Sequence, residues 1–124
     1  MKEKYLLIPS NYSIKPFFIE VDPEYLLQDM KSFMLCDHVE CTYKPYEDGT
    51  LVFIVDELGK VKSPPSAVNM LASMLYDNPN DFLVGAVVIG WIGSRNGETD
   101  IVPLPPKVME KLCDICGILP PKEE

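Results

Sequence analysis

Phe82-Leu83-Val84-Gly85-Ala86-Val87-Val88-Ile89-Gly90-Trp91-Ile92 is apolar at odd and even positions alike. A strand with one face on a core alternates apolar and polar residues, so an apolar residue at every step predicts a central strand covered on both sides. The run is only about half the length a helix needs to span a bilayer, and Gly85 and Gly90 interrupt it. The glycines suit bends or close packing within the strand.

Beyond this run, Arg95-Asn96-Gly97 supplies residues suited to positive φ and turns the chain into Thr99-Asp100-Ile101-Val102, a hairpin. Pro105-Pro106 then opens a helix that runs to about Cys116, with Val108, Leu112 and Cys116 on one face and Gly117 as its stop. On the other side, Ser63-Pro64-Pro65-Ser66 leads into a helix from Ala67 whose inward face holds Ala67, Leu71 and Met74 or Leu75. Residues 39–43 and 50–55, rich in β-branched and aromatic side chains, form another hairpin around a turn at 45–49.

Nearer the start, residues 5–8 and 15–21 form a hairpin across the loop-type segment 9–13. Asp22-Pro23-Glu24 begins a helix, because it offers a capping oxygen, a proline already at helical φ and a carboxylate at the positive end of the dipole. Leu26, Met30, Phe33 and Met34 make that helix's apolar face. Strand pairs with helices set between them predict an α+β fold: a mostly antiparallel or mixed sheet of about six strands with about three helices packed on it. We expect one domain over residues 1–119 and a loose acidic tail at 120–124, since 124 residues suffice for one core and not for two.

Composition narrows the function classes. Acidic residues outnumber basic ones 19 to 11, for a formal charge of −8. That balance repels a phosphate backbone, so direct nucleic-acid binding is disfavoured; a basic partner could be attracted, but the carboxylates come in scattered pairs such as Asp56-Glu57, so a solvated surface is the leading reading and the partner, protein or small ligand, stays unidentified. Residues 1–9 hold no secretory signal pattern, and four cysteines without a framework spacing fit reduced thiols, so the expected compartment is the cytoplasm, with no membrane association.

No catalytic set is legible. There is no Gly-x-Ser-x-Gly elbow, the glycines form no phosphate loop, and Asp56 and Glu57, as neighbours on a strand, point to opposite faces. Cys36-x-His38-x-x-Cys41 and Cys113-x-x-Cys116 are the residue types zinc prefers, and they make a zinc-binding or thiol-dependent protein the alternative reading. Against zinc, the first spacing is unusual and the second pair lies inside an amphipathic helix, where cysteine serves as a core residue. Cys113 and Cys116 also fall at the helix's C-terminal end, away from the dipole that lowers a thiol pKa. No cofactor is expected. Tyr43, Tyr46, Trp91 and Arg95 flank hairpins and are residue types enriched at interface hot spots, so they are the candidate binding residues, with core packing the competing role for Trp91.

With this layout, the chain resembles a short domain-of-unknown-function family carried by phages, plasmids and integrative elements of bacteria, mostly gut Firmicutes. The resemblance rests on the order of several pieces: Lys4-Tyr5-Leu6-Leu7-Ile8, Leu26-Leu27-Gln28, Val55-Asp56-Glu57-Leu58-Gly59-Lys60-Val61 and Ser66-Ala67-Val68-Asn69. Val84-Gly85-Ala86-Val87-Val88-Ile89-Gly90 and Val102-Pro103-Leu104-Pro105 complete it. Cys36, His38 and Cys41 depart from the small residues such domains often carry before the third strand. The resemblance implies an accessory protein of mobile DNA in a bacterial cytoplasm and transfers no catalytic residues. By analogy such a protein acts as a non-catalytic binding module, on a host or element protein or by sequestering a small nucleotide, for example in defence antagonism. A structural or assembly subunit, including a homo-oligomer joined through strand edges, is the third reading.

Overall fold

The computed structural model describes residues 1–62 and 67–121. The Ser63-Pro64-Pro65-Ser66 lead into the second helix, and residues 122–124 of the tail, lie outside the described residues. Six antiparallel strands form one sheet: β1 (Glu3–Ile8), β2 (Phe17–Val21), β3 (Val39–Tyr46), β4 (Gly49–Asp56), β5 (Val87–Arg95) and β6 (Glu98–Val102). The helices are α1 (Leu26–Met34), the short α2 (Gly59–Lys62), α3 (Met70–Tyr76) and α4 (Pro106–Cys116). The sheet order is β2-β1-β5-β4-β3, with β6 also on β5. The fold is α+β, as expected.

β5 is the central strand, though it is displaced from the run that predicted it. It starts at Val87, because Gly85 sits at φ 77 and residues 82–86 are tied elsewhere: Val84 bridges Val68, and Gly85 N–H donates to Ala67 O at 2.8 Å. The first half of β5 pairs with β1 (Leu6↔Ile89, Ile8↔Val87) and the second half with β6 (Trp91↔Val102, Arg95↔Glu98). Gly90 stands at the handover. A Cβ there would lie 3.1 Å from Ile101 and 3.2 Å from Tyr5, so the small residue lets two strands share one edge.

Both faces of the sheet are covered, which is why the central run carries no polar alternation. Leu6, Ile8, Leu51, Phe53, Val87 and Ile89 pack under α3 and α4 through Ala72, Tyr76, Val108 and Leu112. Tyr5, Leu7, Val52, Ile54 and Val88 pack under α1 through Met30 and Met34. Each fully buried side chain of this size contributes about 1.5–3 kcal/mol of transfer free energy.

The helices differ from expectation in phase and in start. Pro23 opens a 3-10 turn (Pro23–Tyr25) capped by Asp22, whose carboxylate accepts from Glu24 N–H at 2.9 Å, and α1 proper follows. Phe33, expected inward, is 47% exposed, because the Met30/Met34 stripe meets the sheet and Phe33 lies about 60° from Met30 and about 100° from Met34 around the helix. α3 begins at Met70 rather than Ala67, since Val68 is engaged with Val84 and Asn69 is the cap. Its fully buried residues are Ala72 and Tyr76; of the expected inward face Leu71 and Leu75 pack against the core, and Met74 is exposed. The β3–β4 turn is tighter than expected: Pro45 and Tyr46 belong to β3, Gly49 to β4, and only Glu47 and Asp48 form the loop. α4 and its Gly117 stop, at φ 69, fall where expected, as does the Asn96-Gly97 turn at φ 54 and 81.

Candidate functional site

At the end of the β3–β4 ladder, opposite its tight turn, the chain encloses a cleft of about 230 Å³. β3 supplies Glu40, Cys41 and Thr42, and β4 supplies Val55 and Asp56, with Glu40 paired to Val55. Glu57 N–H donates to His38 O at 3.0 Å, and the Asp56 carboxylate accepts from Leu58 N–H at 3.0 Å. These bonds bend the chain out of β4 and bring Lys60 of α2 over the cleft.

The opposite wall is residues 81–84. Leu83 holds it in place, accepting from Asn69 N–H at 2.8 Å and donating to Ser73 Oγ at 2.8 Å, next to the Val68–Val84 bridge. Across the opening the Lys60 ammonium is ion-paired with the Asp81 carboxylate and stands 5.0 Å from the centroid of the Phe82 ring. The lining thus holds four carboxylates (Glu40, Asp56, Glu57, Asp81) against one ammonium, above Val55, Leu83 and Val84.

The charges of this lining suit a positively charged group. Cys41 borders the cleft from β3, but its side chain, opposite Ile54, packs with the α1-side core, where burial and then Glu40 push the thiol up. No histidine lines the cleft. An ammonium or guanidinium, by contrast, finds carboxylates at the rim and an aromatic face beside them.

The residues singled out in the sequence are placed as follows. Tyr43, Tyr46, Trp91 and Arg95 do not form one surface. Tyr43 pairs with Val52 on the α1 side and is 54% exposed, whereas Tyr46 and Trp91 pack against the core on the α3/α4 side. Arg95 is a structural pin. Its guanidinium makes a bidentate pair with Glu3 at 2.7 and 2.9 Å, bonds Asp100 at 3.0 Å and donates to Ile101 O at 2.8 Å. Tyr5 O–H donates to the same Glu3 carboxylate at 2.9 Å, so the start of β1 is tied to the β5–β6 hairpin.

The cysteines and histidine are divided between the two faces. Cys36 and Cys41 pack with the α1-side core, while Cys113 and Cys116 sit on α4 across the sheet. His38 is exposed at the start of β3. Among the described residues no three His, Cys, Asp or Glu side chains group as a metal-ligand set. The five residues of the zinc alternative are not brought together.

Burial pushes the Cys113 thiol up and pushes Cys116 up to about 11, with Cys113 adding to the latter. The unfolded thiol therefore ionises first. Above its ordinary value of 9.0 the unfolded chain has released protons that the folded chain retains, so stability is full below pH 9 and falls as pH rises toward 11. Urea unfolding followed between pH 8 and 11 checks this, with Cys116→Ala as the comparison. A Cys116→Ala variant with the same alkaline slope as the parent chain would show that this thiol carries none of the effect.

Lys60, Asp81, Phe82 and Glu40 are the site residues that sequence reasoning passed over. Of the cleft's lining, the sequence singles out Cys41 only as a metal or thiol candidate, and Asp56-Glu57 is set aside because neighbours on a strand point to opposite faces. Among the described residues, no helix is long and apolar enough to cross a membrane. No family model, curated protein or solved structure matches the chain.

Proposed function

We propose that the chain is a non-catalytic binding module that recognises a basic segment of a protein partner through the β3–β4 cleft, in keeping with the accessory role that the family resemblance suggests. The supporting observation is the seat of Lys60: a carboxylate and an aromatic ring already hold one ammonium at a cleft bearing three further carboxylates. The same charge favours a protein partner over a sequestered nucleotide, whose phosphates would meet those carboxylates.

Magnitudes set what the partner must offer. An exposed ion pair is worth about 0.2–1 kcal/mol and an exposed cation–π contact about 0.5–1 kcal/mol. One basic side chain is too weak alone. The partner segment therefore pairs its lysine or arginine with apolar residues that cover Leu58 and Phe82, both about half exposed.

Titration of the isotopically labelled chain with a short Arg- and Leu-containing peptide, followed by NMR, tests the reading. Shifts are expected at residues 40–42, 55–60 and 81–84, weakened by salt and by about two- to fivefold in Asp81→Asn. A Glu-containing peptide of equal length should leave those signals unmoved. If the acidic peptide or ATP moved them as much as the basic one, cation recognition would be wrong, and an ATP response would point to a nucleotide ligand instead.

A further inference from the structure

β3 is an outer strand of eight residues, and among the described residues no strand pairs with its free side. Native edges of this length are blunted, covered or used. Pro45 shows which backbone groups point outward. A proline is tolerated in an edge strand where its missing N–H would face away from the sheet, so Val39, Cys41, Tyr43 and Pro45 present their N–H and C=O groups to the free side.

The side chains of this edge are self-complementary about Thr42. In an antiparallel pairing of β3 with another β3 centred there, Glu40 lies directly opposite Lys44, and by symmetry Lys44 lies opposite Glu40. Cys41 and Tyr43 exchange both backbone hydrogen bonds, and Val39 N–H finds the Pro45 carbonyl, so the only donors missing are those of the two symmetry-related prolines. Side-chain parity is kept: residues on the α1 side meet residues on the α1 side, and Tyr43, now exposed, gains a cross-strand neighbour. β2, the opposite outer strand, lacks this property, since a centre at Ile19 would set Glu20 against Phe18.

We infer that the chain forms a two-fold dimer through antiparallel β3–β3 pairing, joining the two sheets into one. The inference goes beyond the cleft reading and rests on backbone groups that the cleft does not use. Glu40 belongs to both, so the test reads mass and uses no cationic probe.

Sedimentation equilibrium on the full chain is the experiment, with Glu40→Lys, the double exchange Glu40→Lys/Lys44→Glu, and Thr42→Cys, each checked for folding by circular dichroism. The parent chain should sediment at twice its 14.0 kDa mass. Glu40→Lys sets like charges opposite each other twice and should raise the dimer Kd about tenfold or more, and the double exchange should restore it. At the two-fold centre the Thr42 positions form a non-hydrogen-bonded pair about 4.5 Å apart between Cα atoms, within disulfide range, so Thr42→Cys should cross-link under mild oxidation. A monomer at about 1 mM, a dimer indifferent to Glu40→Lys, or a Thr42→Cys chain that gives no disulfide between the substituted positions would each overturn the inference.

Discussion

Asn69→Ala is expected to cost about 3–4 kcal/mol of the roughly 5–15 kcal/mol that holds a domain of this kind folded. Asn69 is the one buried polar residue among the described residues, at 1% exposure. Its Nδ2 donates to Ile8 O at 2.8 Å and to Gly85 O at 2.9 Å, and its Oδ1 caps α3 by accepting from Ala72 N–H at 3.1 Å. Removing the amide strands two carbonyls and one N–H away from water, at about 1 kcal/mol or more each, and opens the helix cap as well.

Asn69→Asp separates the two roles. Aspartate keeps the capping oxygen but offers no donor to Ile8 and Gly85, and it brings a carboxylate into a buried site. It should therefore be at least as damaging as alanine at neutral pH. Urea unfolding by circular dichroism measures both variants. A loss below about 1 kcal/mol for Asn69→Ala would mean that Asn69 is not the clamp between β1, α3 and the segment before β5.

Gly49→Ala carries the second large effect, and a steric one. The first residue of β4 has the Trp91 ring lying across it, so an added Cβ would fall 2.0 Å from Cζ2 and 2.8 Å from Cε2 and Cη2. The ring must move off Leu51, its partner in the β4–β5 register, or the strand must shift. Overpacking of this kind costs about 2–3 kcal/mol.

Trp91 is the only tryptophan, so its fluorescence reports the displacement directly. In a Trp91→Leu background, where the ring is gone, Gly49→Ala should cost far less, with a coupling of about 1–2 kcal/mol in the double-mutant cycle. Additive losses would show that the cost of the methyl lies in the backbone and not in the contact with Trp91.

Those two residues mark where sequence reading stops. Gly49 is legible as a turn glycine and Trp91 as a core or interface aromatic, yet nothing local says that one ring rests on the other. Asn69 sits inside an apolar run that reads as one helix face, and only the chain folding back at Leu83 and Gly85 makes it a hub. The same holds for Phe33 and Met74, which share helical spacing with buried neighbours and face outward because the sheet selects the narrower stripe.

The α+β class, the hairpins, the two-sided cover of the central strand, the Asn96-Gly97 turn and α4 with its Gly117 stop were determined by the sequence alone. Each depends on φ preference, capping or apolar period, effects that act over a few residues and leave their pattern in the chain. The start of β5, the phase of α1 and α3, the separation of the cysteines by the sheet and the cleft itself were decided by tertiary structure. Glu40, Glu57, Lys60, Asp81 and Phe82 share a cleft because loops closed and surfaces were buried between segments far apart in sequence, and that free energy depends on partners that no local window contains.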